Sequence, residues 1–396
     1  MTDRIVIIGA GIVGASIAYH LSARTDAPIV VYDRDDVASE TTGKSVAQYG
    51  FYGNPVQYRM KRYGMRVYNE LFAETTAEPQ YTFAGLLEVA SDAAEADRLH
   101  RAIEVGGDPE LGKIAGTGLD ADLVEYVDGG DLPATILAPF VDFDAVTGAV
   151  FRPKVGYMNT PRQLTRAFIE GAEARGVTVE TGVTVTDIVT ENDRVSGIET
   201  TAGPVDAATV VSAAGPWNHR IARLVGIELP MRHSLAPVLK FEPDRPFPCT
   251  APTISLHDNP YTIYTRSLTE SLIAAHPRAS YDEYDRYDPD EVPNQVPADI
   301  RAEMLDVMGS FIPQFANAEP VDEWVGVRSQ TPDGNPIVGW TGVEGFSIAA
   351  FNTSGIQLAP ATGLIISEQL VTGEPTDYYD ALSITRFDGY EDSRSA

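Results

Sequence analysis

The chain reads as an α/β protein in which a Rossmann-like dinucleotide-binding unit is interleaved with an α+β layer built on a mixed, mostly antiparallel sheet. Three observations predict this. An apolar run, Arg4 to Ile8, leads into Gly9-Ala10-Gly11-Ile12-Val13-Gly14 and then Val30-Val31-Tyr32-Asp33, in the order strand, glycine turn, helix, strand, acid. A second apolar strand, Val210 to Ser212, runs into the small residues Ala213-Ala214-Gly215 before Pro216 and Trp217. Residues 80 to 150 and 221 to 320 change character, with period-two apolar runs separated by glycine, proline and acidic loops.

In the opening unit, Gly9 permits the tight turn, Gly11 lets the backbone approach a pyrophosphate, and Gly14 lets helix and strand pack closely. The phosphates would rest on the positive end of the helix that begins near Gly11. Asp33 follows nineteen residues after Gly14, where an acid accepts hydrogen bonds from an adenosine ribose. A signal peptide and a βαβ unit without ligand compete with this reading. The single arginine before the run, the glycines within it and its continuation into a second strand disfavour the first. Three spaced glycines that cost helix propensity disfavour the second.

With 396 residues, 43% of them hydrophobic, the chain can bury a large core, and its length suggests two domains or one large interleaved pair. No run of eighteen apolar residues occurs, so no membrane span is expected. One cysteine, Cys249, excludes an internal disulfide and a cysteine-rich metal site, which suits the cytoplasm. The formal charge is −28 and the pI ≈ 4.4, with acids spread along the whole chain. Such a field repels nucleic acid and suggests adaptation to high salt, where counterions screen self-repulsion.

Along the chain, residues 34 to 50 form a loop rich in hydroxyls and small side chains, suited to pyrophosphate contacts, and a helix follows over 56–72. A strand over 82–89 and a helix over 92–105 open the second layer. Pro161 starts a helix over 162–175, which Gly176 ends, and short strands follow up to Val205. Strands over 235–241, 261–266 and 271–275 alternate with acidic loops, and residues 281–297 read as an exposed excursion. A helix over 297–308 precedes strands at 324–328, 337–339 and 346–351, after which Asn352, Thr353 and Ser354 offer caps for a helix running to Leu370.

The glycine unit, the Glu40 to Ser45 loop, the Val211 to Trp217 corner, Gly326-Val327-Arg328 with the Thr331 to Gly339 run, and Gly355 to Gly363 together resemble the FAD-dependent D-amino acid oxidase family. That family includes glycine and sarcosine oxidases, dimethylglycine dehydrogenase and D-amino acid dehydrogenases, and the resemblance covers nearly the whole chain. It implies a glutathione-reductase-type FAD domain in three pieces, 1–80, 150–220 and 323–396, with a substrate domain over 81–149 and 221–322. It assigns Gly9, Gly11, Ile12, Val13 and Gly14 to the pyrophosphate turn, and Asp33 with neighbouring Arg34 to the ribose. Thr42 and Ser45 are further phosphate contacts, and Val185 touches adenine. Ala213, Gly215 and Trp217 flank the cofactor, while Ser354, Gly355, Ile356 and Gln357 start the helix beneath the flavin.

The same resemblance implies that Arg328 grips a substrate carboxylate through its planar fork of donors, with a structural ion pair to Asp333 or another acid as the alternative. Tyr264 and Tyr52 line the pocket, Gln48 stands where D-arginine-type dehydrogenases carry histidine, and Gln357 agrees with them. No histidine or cysteine sits at the usual covalent-attachment positions, so FAD is expected to be non-covalent. No lysine follows Lys240, which favours a dehydrogenase, with O2, a quinone or another carrier open as electron acceptor. The expected reaction is oxidation of a small amino acid or N-methyl amino acid by hydride transfer to flavin N5, giving an imine that hydrolyses to a 2-oxo acid. The alternatives are a 2-hydroxy acid dehydrogenase, for which His233 and His276 are the bases to test, and a flavoprotein assembly or carrier partner without turnover.

Overall fold

The computed structural model describes residues 3–50, 54–74, 81–82, 85–106, 125–128, 142, 146–152, 155–158, 160–242, 252–258, 261–267, 272–275, 288–351 and 353–390. Among them, a six-stranded sheet has the order Ile337–Trp340, Phe346–Ala350, Thr209–Ser212, Ile5–Ile8, Ile29–Tyr32, Thr178–Glu180. Neighbours run parallel except at the Ile337–Trp340 edge. Ile5–Ile8 sits at the centre with all four side chains buried, as its unbroken apolar run requires of a strand covered on both faces. Each such side chain contributes roughly 1.5–3 kcal/mol of burial.

Three helices cover one side of this sheet. Ile12–Ser22 packs between Pro161–Glu173 and Gly355–Thr372, and Pro55–Glu74 lies along the last of these. Pro360 stands inside Gly355–Thr372, where it cannot donate to the carbonyl four residues back. The Tyr68 hydroxyl donates to that Ile356 oxygen instead, at 2.6 Å, so the interruption leaves no orphaned acceptor there. Ser16 Oγ likewise donates to the Ala359 carbonyl at 2.9 Å.

An eight-stranded sheet stands against the first, in the order Asp322–Gln330, Arg232–Phe241, Leu272–Ala275, Tyr261–Ser267, Thr253–Asp258, Leu86–Ala90, Gly148–Arg152, Glu125–Asp128. All pairs are antiparallel except Thr253–Asp258 with Leu86–Ala90. The Ala298–Phe311 helix covers it, burying Met304, Val307, Met308 and Phe311 against Leu239, Ile254 and Leu256. Asp322–Gln330, which the sequence assigns to the FAD-binding segments, pairs along its length with Arg232–Phe241 and so belongs to this larger sheet. The single strand expected over 82–89 is two strands split at Gly85, Tyr81–Thr82 and Leu86–Ala90, in different sheets. Tyr81–Thr82 and Gln48–Gly50 flank Val155–Met158, and Val185–Glu191, Arg194–Thr200 and Gly203–Asp206 form a small antiparallel meander.

No helix among the described residues is long and apolar enough to cross a membrane.

Candidate functional site: a cavity between the two sheets

At the carboxyl ends of the parallel strands, a cavity of about 450 Å³ opens between the six-stranded sheet and the edge of the larger one. Its floor is the glycine turn. Gly9 has φ +109°, and a Cβ there would lie 2.5 Å from the Ala213 carbonyl oxygen. A Cβ on Gly14 would lie 1.9 Å from the Gly9 oxygen, so strand, corner and helix touch backbone to backbone. At Gly11 a Cβ would meet only Thr42 Oγ1, 3.2 Å away, and the residue faces the cavity. The expected Val211 to Trp217 corner thus closes beside the turn, with Ala213 N donating to the Ile8 carbonyl at 2.8 Å. Asn218 fastens it, since Oδ1 accepts from Ala214 N at 3.0 Å and Nδ2 donates to Ala349 O at 3.0 Å.

Asp33 Oδ2 accepts from Ala10 N at 2.6 Å and Oδ1 from Asp35 N at 2.9 Å, tying the acid to the turn. Burial raises its carboxyl above the usual value, and these two amides oppose the rise. Ile12 N donates to Thr42 Oγ1 at 3.2 Å, which draws the hydroxyl-rich loop over the helix start. That loop also reaches the second sheet, where Trp324 Nε1 donates to the Lys44 carbonyl at 2.9 Å.

The far wall belongs to the larger sheet. Arg328 lines the cavity with Ala236, Val238, Ala275, Gly326, Val327 and Ser329, a surface apolar but for the serine. Register pairs Ala236 with Gly326, Val238 with both Trp324 and Ala275, and Ala275 with Tyr264. Tyr264 therefore stands, by backbone position, in the cross-strand row that includes two cavity-lining residues. Asp333 is not the partner of Arg328 in an ion pair: Arg386 takes it, Nε to Oδ2 at 2.8 Å and Nη2 to Oδ1 at 3.1 Å.

Of the sequence-predicted residues, Gly9, Gly11, Ile12, Val13, Asp33, Arg34, Thr42, Ser45, Val185, Ala213, Gly215, Trp217, Arg328 and Gly355 line this one cavity. Gly14 lies beneath the turn. Ile356 and Gln357, expected to present their amides at the helix start, do sit in its first turn, while their side chains pack away from the cavity. Ile356 is buried among Tyr49, Tyr68 and Ala359, and Gln357 Oε1 accepts from Gly50 N at 3.1 Å as a strut to the Gln48–Gly50 strand. Gln48, on that strand, pairs with Tyr157 and does not line the cavity. Ser354 occupies the N-cap position, but its hydroxyl makes no cap bond; its carbonyl accepts from Gln357 N and Leu358 N. Tyr52, Asn352 and His276 lie outside the described residues.

One group was not legible in the sequence. The stretch read as an exposed excursion returns at Asp288 and Asp290 to the cavity mouth. Asp290 accepts from Arg34 Nη1 at 2.9 Å, from Trp217 Nε1 at 2.8 Å and from Arg220, while Asp288 accepts from Arg220. Arg34 also stacks 4.2 Å over the Trp217 ring. Partial burial would raise the Asp290 carboxyl, yet the bonds from Trp217, Arg220 and Arg34 hold it at about 2. The only sequence signal was proximity of acids to a proline-rich loop, which says nothing about a partner 256 positions away.

The backbone cradle fits a dinucleotide: close-packed glycines, the Asp33 carboxylate and the helix start at Gly355 face one space, and no metal-holding cluster of His, Cys, Asp and Glu exists among the described residues. Comparison with known proteins agrees. The chain is 27% identical over 409 residues to a 4-methylaminobutanoate oxidase (formaldehyde-forming) of Paenarthrobacter nicotinovorans, covering 99% of this chain and 46% of that protein. It is 25% identical to the glycine oxidase of Geobacillus kaustophilus, covering 98% and 99%. The chain thus spans about half the length of the first relative and nearly all of the second. The crystal structure of L-proline dehydrogenase from P. horikoshii superposes with a TM-score of 0.81 at 21% identity, covering 98% of this chain and 99% of that one, which shows the shared fold. With residues 4–369 also matching the family model described as DAO, FAD dependent oxidoreductase, the chain belongs to the DAO family of FAD-dependent oxidoreductases.

Proposed function

We propose that this protein oxidises a small amino acid or N-methyl amino acid, with Arg328 holding the substrate carboxylate beside the cofactor. The observation that carries the reading is that Arg328 lines the same cavity as the glycine turn, on a wall whose other residues, Ser329 excepted, are apolar: Ala236, Val238, Ala275, Gly326 and Val327. A guanidinium fork in apolar surroundings binds a carboxylate more strongly than it would in water and orients the amine-bearing carbon. The apolar wall also excludes water and favours the neutral amine, which is the form that can be oxidised. FAD supplies, when bound, the capacity to accept a hydride. Gly9, Gly11, Ile12, Val13 and Thr42 would hold its pyrophosphate, Asp33 its ribose, and the amides at the Gly355 helix start its ring. The relatives named as a methylaminobutanoate oxidase and a glycine oxidase support N-methyl or unsubstituted amino acids as the substrate class.

The test is an anaerobic screen of D- and L-amino acids, N-methyl amino acids and 2-hydroxy acids for bleaching of the flavin band. Amino or N-methylamino acids are expected to bleach it; bleaching by hydroxy acids alone overturns the reading, and no bleaching by any of them leaves the carrier alternative. Of the two bases named for the hydroxy-acid reading, His233 does not line the cavity and His276 lies outside the described residues. Readmitting air separates an oxidase from a dehydrogenase by the rate at which colour returns. Arg328→Ala is expected to lower kcat/KM by about 100-fold or more with FAD content unchanged; retained activity sinks the carboxylate assignment. The charge of −28 supports adaptation to high salt, so the melting temperature should rise between low and molar salt. A flat response removes that idea.

A further inference from the structure

Behind the cavity wall, a row of polar groups has a fixed direction. His219 Nδ1 lies 2.7 Å from the Pro216 carbonyl oxygen and 3.3 Å from His233 Nε2, and His233 Nδ1 lies 3.0 Å from Ser329 Oγ. His233 and Ser329 are buried and face each other in register across the Arg232–Phe241 and Asp322–Gln330 strands. Burial first, then His219 and Arg220 against the opposing Asp288, pushes His233 down to about 4. His219 is pushed down by burial, Arg223 and Arg220 against the opposing effects of the Pro216 carbonyl and Asp288. Each imidazole is therefore neutral at pH 7 and carries one ring proton.

That single proton decides the rest. A carbonyl oxygen only accepts, so His219 must hold its proton on Nδ1. The same N–H faces His233 Nε2, which must then present a lone pair. His233 carries its own proton on Nδ1 and donates it to Ser329 Oγ. The reverse polarity would set a nitrogen lone pair against the Pro216 oxygen at 2.7 Å. With its oxygen accepting from His233, the Ser329 O–H is left to donate elsewhere; the residue lines the cavity, and its side chain makes no other hydrogen bond among the described residues.

Ser329 and Arg328 are neighbours on an edge strand and so project from opposite faces. Both line the cavity. The strand packs against the Gly215–Trp217 turn, which carries the Pro216 carbonyl met by His219 and adjoins Ala213 and the Gly9 floor. The donor therefore belongs to the cofactor's part of the cavity, away from the substrate carboxylate.

We propose that Ser329 is a cofactor-binding residue that donates a hydrogen bond to an oxygen of the bound FAD, with His233 and His219 as positioning residues that hold the serine in this one polarity. The inference rests on FAD being the cofactor. Its test has two arms. Selective 15N-histidine labelling at pH 7 reads the tautomers, and both His219 and His233 are expected as the Nδ1–H form; an Nε2–H form at either overturns the proposal. Fluorescence titration of apoprotein with FAD is expected to show Ser329→Ala binding about three- to tenfold more weakly than wild type, with the threonine variant S329T close to wild type. Equal affinity in wild type and Ser329→Ala overturns the role of Ser329 alone, whereas a wild type that does not bind FAD overturns the cofactor assignment instead. Should Ser329→Ala fail to fold, the wild-type tautomers decide.

Discussion

The two walls of the cavity are built in opposite ways. The wall from the six-stranded sheet is made of backbone against backbone: Gly9 against Ala213, Gly14 against Gly9, with buried aliphatic strands behind. The wall from the larger sheet, with its returning segment at Asp288 and Asp290, is held to the first by side chains, through Arg34, Arg220, Trp217 and Trp324. A backbone contact at van der Waals distance has no slack, whereas a partly exposed ion pair can open and re-form. The first wall is thus fixed by backbone contact, and the second by charge and side-chain hydrogen bonds.

The largest effect should come from breaking the first wall. Gly14→Ala places a methyl 1.9 Å from the Gly9 oxygen, so the variant is expected to purify without flavin and with a much lower melting temperature. A yellow, normally stable Gly14→Ala would show that the turn has slack after all.

The same wall carries a pH dependence. His20, on the Ile12–Ser22 helix, is buried with Nδ1 2.8 Å from the Ser16 carbonyl and Nε2 3.2 Å from the Tyr63 hydroxyl. Burial lowers its pKa from 6.5 to about 4, against the opposing Ser16 bond. The unfolded chain binds this proton first, so stability is full above about pH 6.5 and falls as pH drops towards 4, by on the order of 3 kcal/mol. Denaturant melts across that window should show the loss, and His20→Gln should flatten it; an unchanged slope in the variant counts against His20.

The second wall predicts smaller changes. Asp290→Asn removes the charge that gathers Arg34 and Arg220, and FAD is expected to leave several-fold faster, the difference shrinking in molar salt. A salt-independent difference would locate the effect in packing. Because the Asp290 carboxyl is held at about 2, its contribution persists above the unfolded carboxylate value and is lost only as pH falls through about 2. Smallest is Arg386→Ala, which frees Asp333 at the turn leading to Ile337–Trp340 and should cost about 1 kcal/mol, read as a shift in melting midpoint.

What the sequence by itself determined was local. The glycine spacing from Gly9 to Gly14, the apolar strand before it, Asp33 after it and the small residues at Ala213 to Gly215 each carry their consequence within a few positions, and all of them line or underlie one cavity. Helix limits followed for the same reason, since Pro161 and Gly176 act on their own turn. What only the tertiary structure decided was long-range. Gln357 and Gln48 looked like pocket residues because they match in order along the chain, but helical rotation and strand pairing set one as a strut and leave the other off the cavity. Asp290 reaches Arg34 across 256 positions, and Ser329 meets His233 across 96, through sheet register and chain reversal that no local pattern encodes. A backbone preference is a property of neighbouring residues, whereas a charge or a hydroxyl finds its partner only after the sheets have packed.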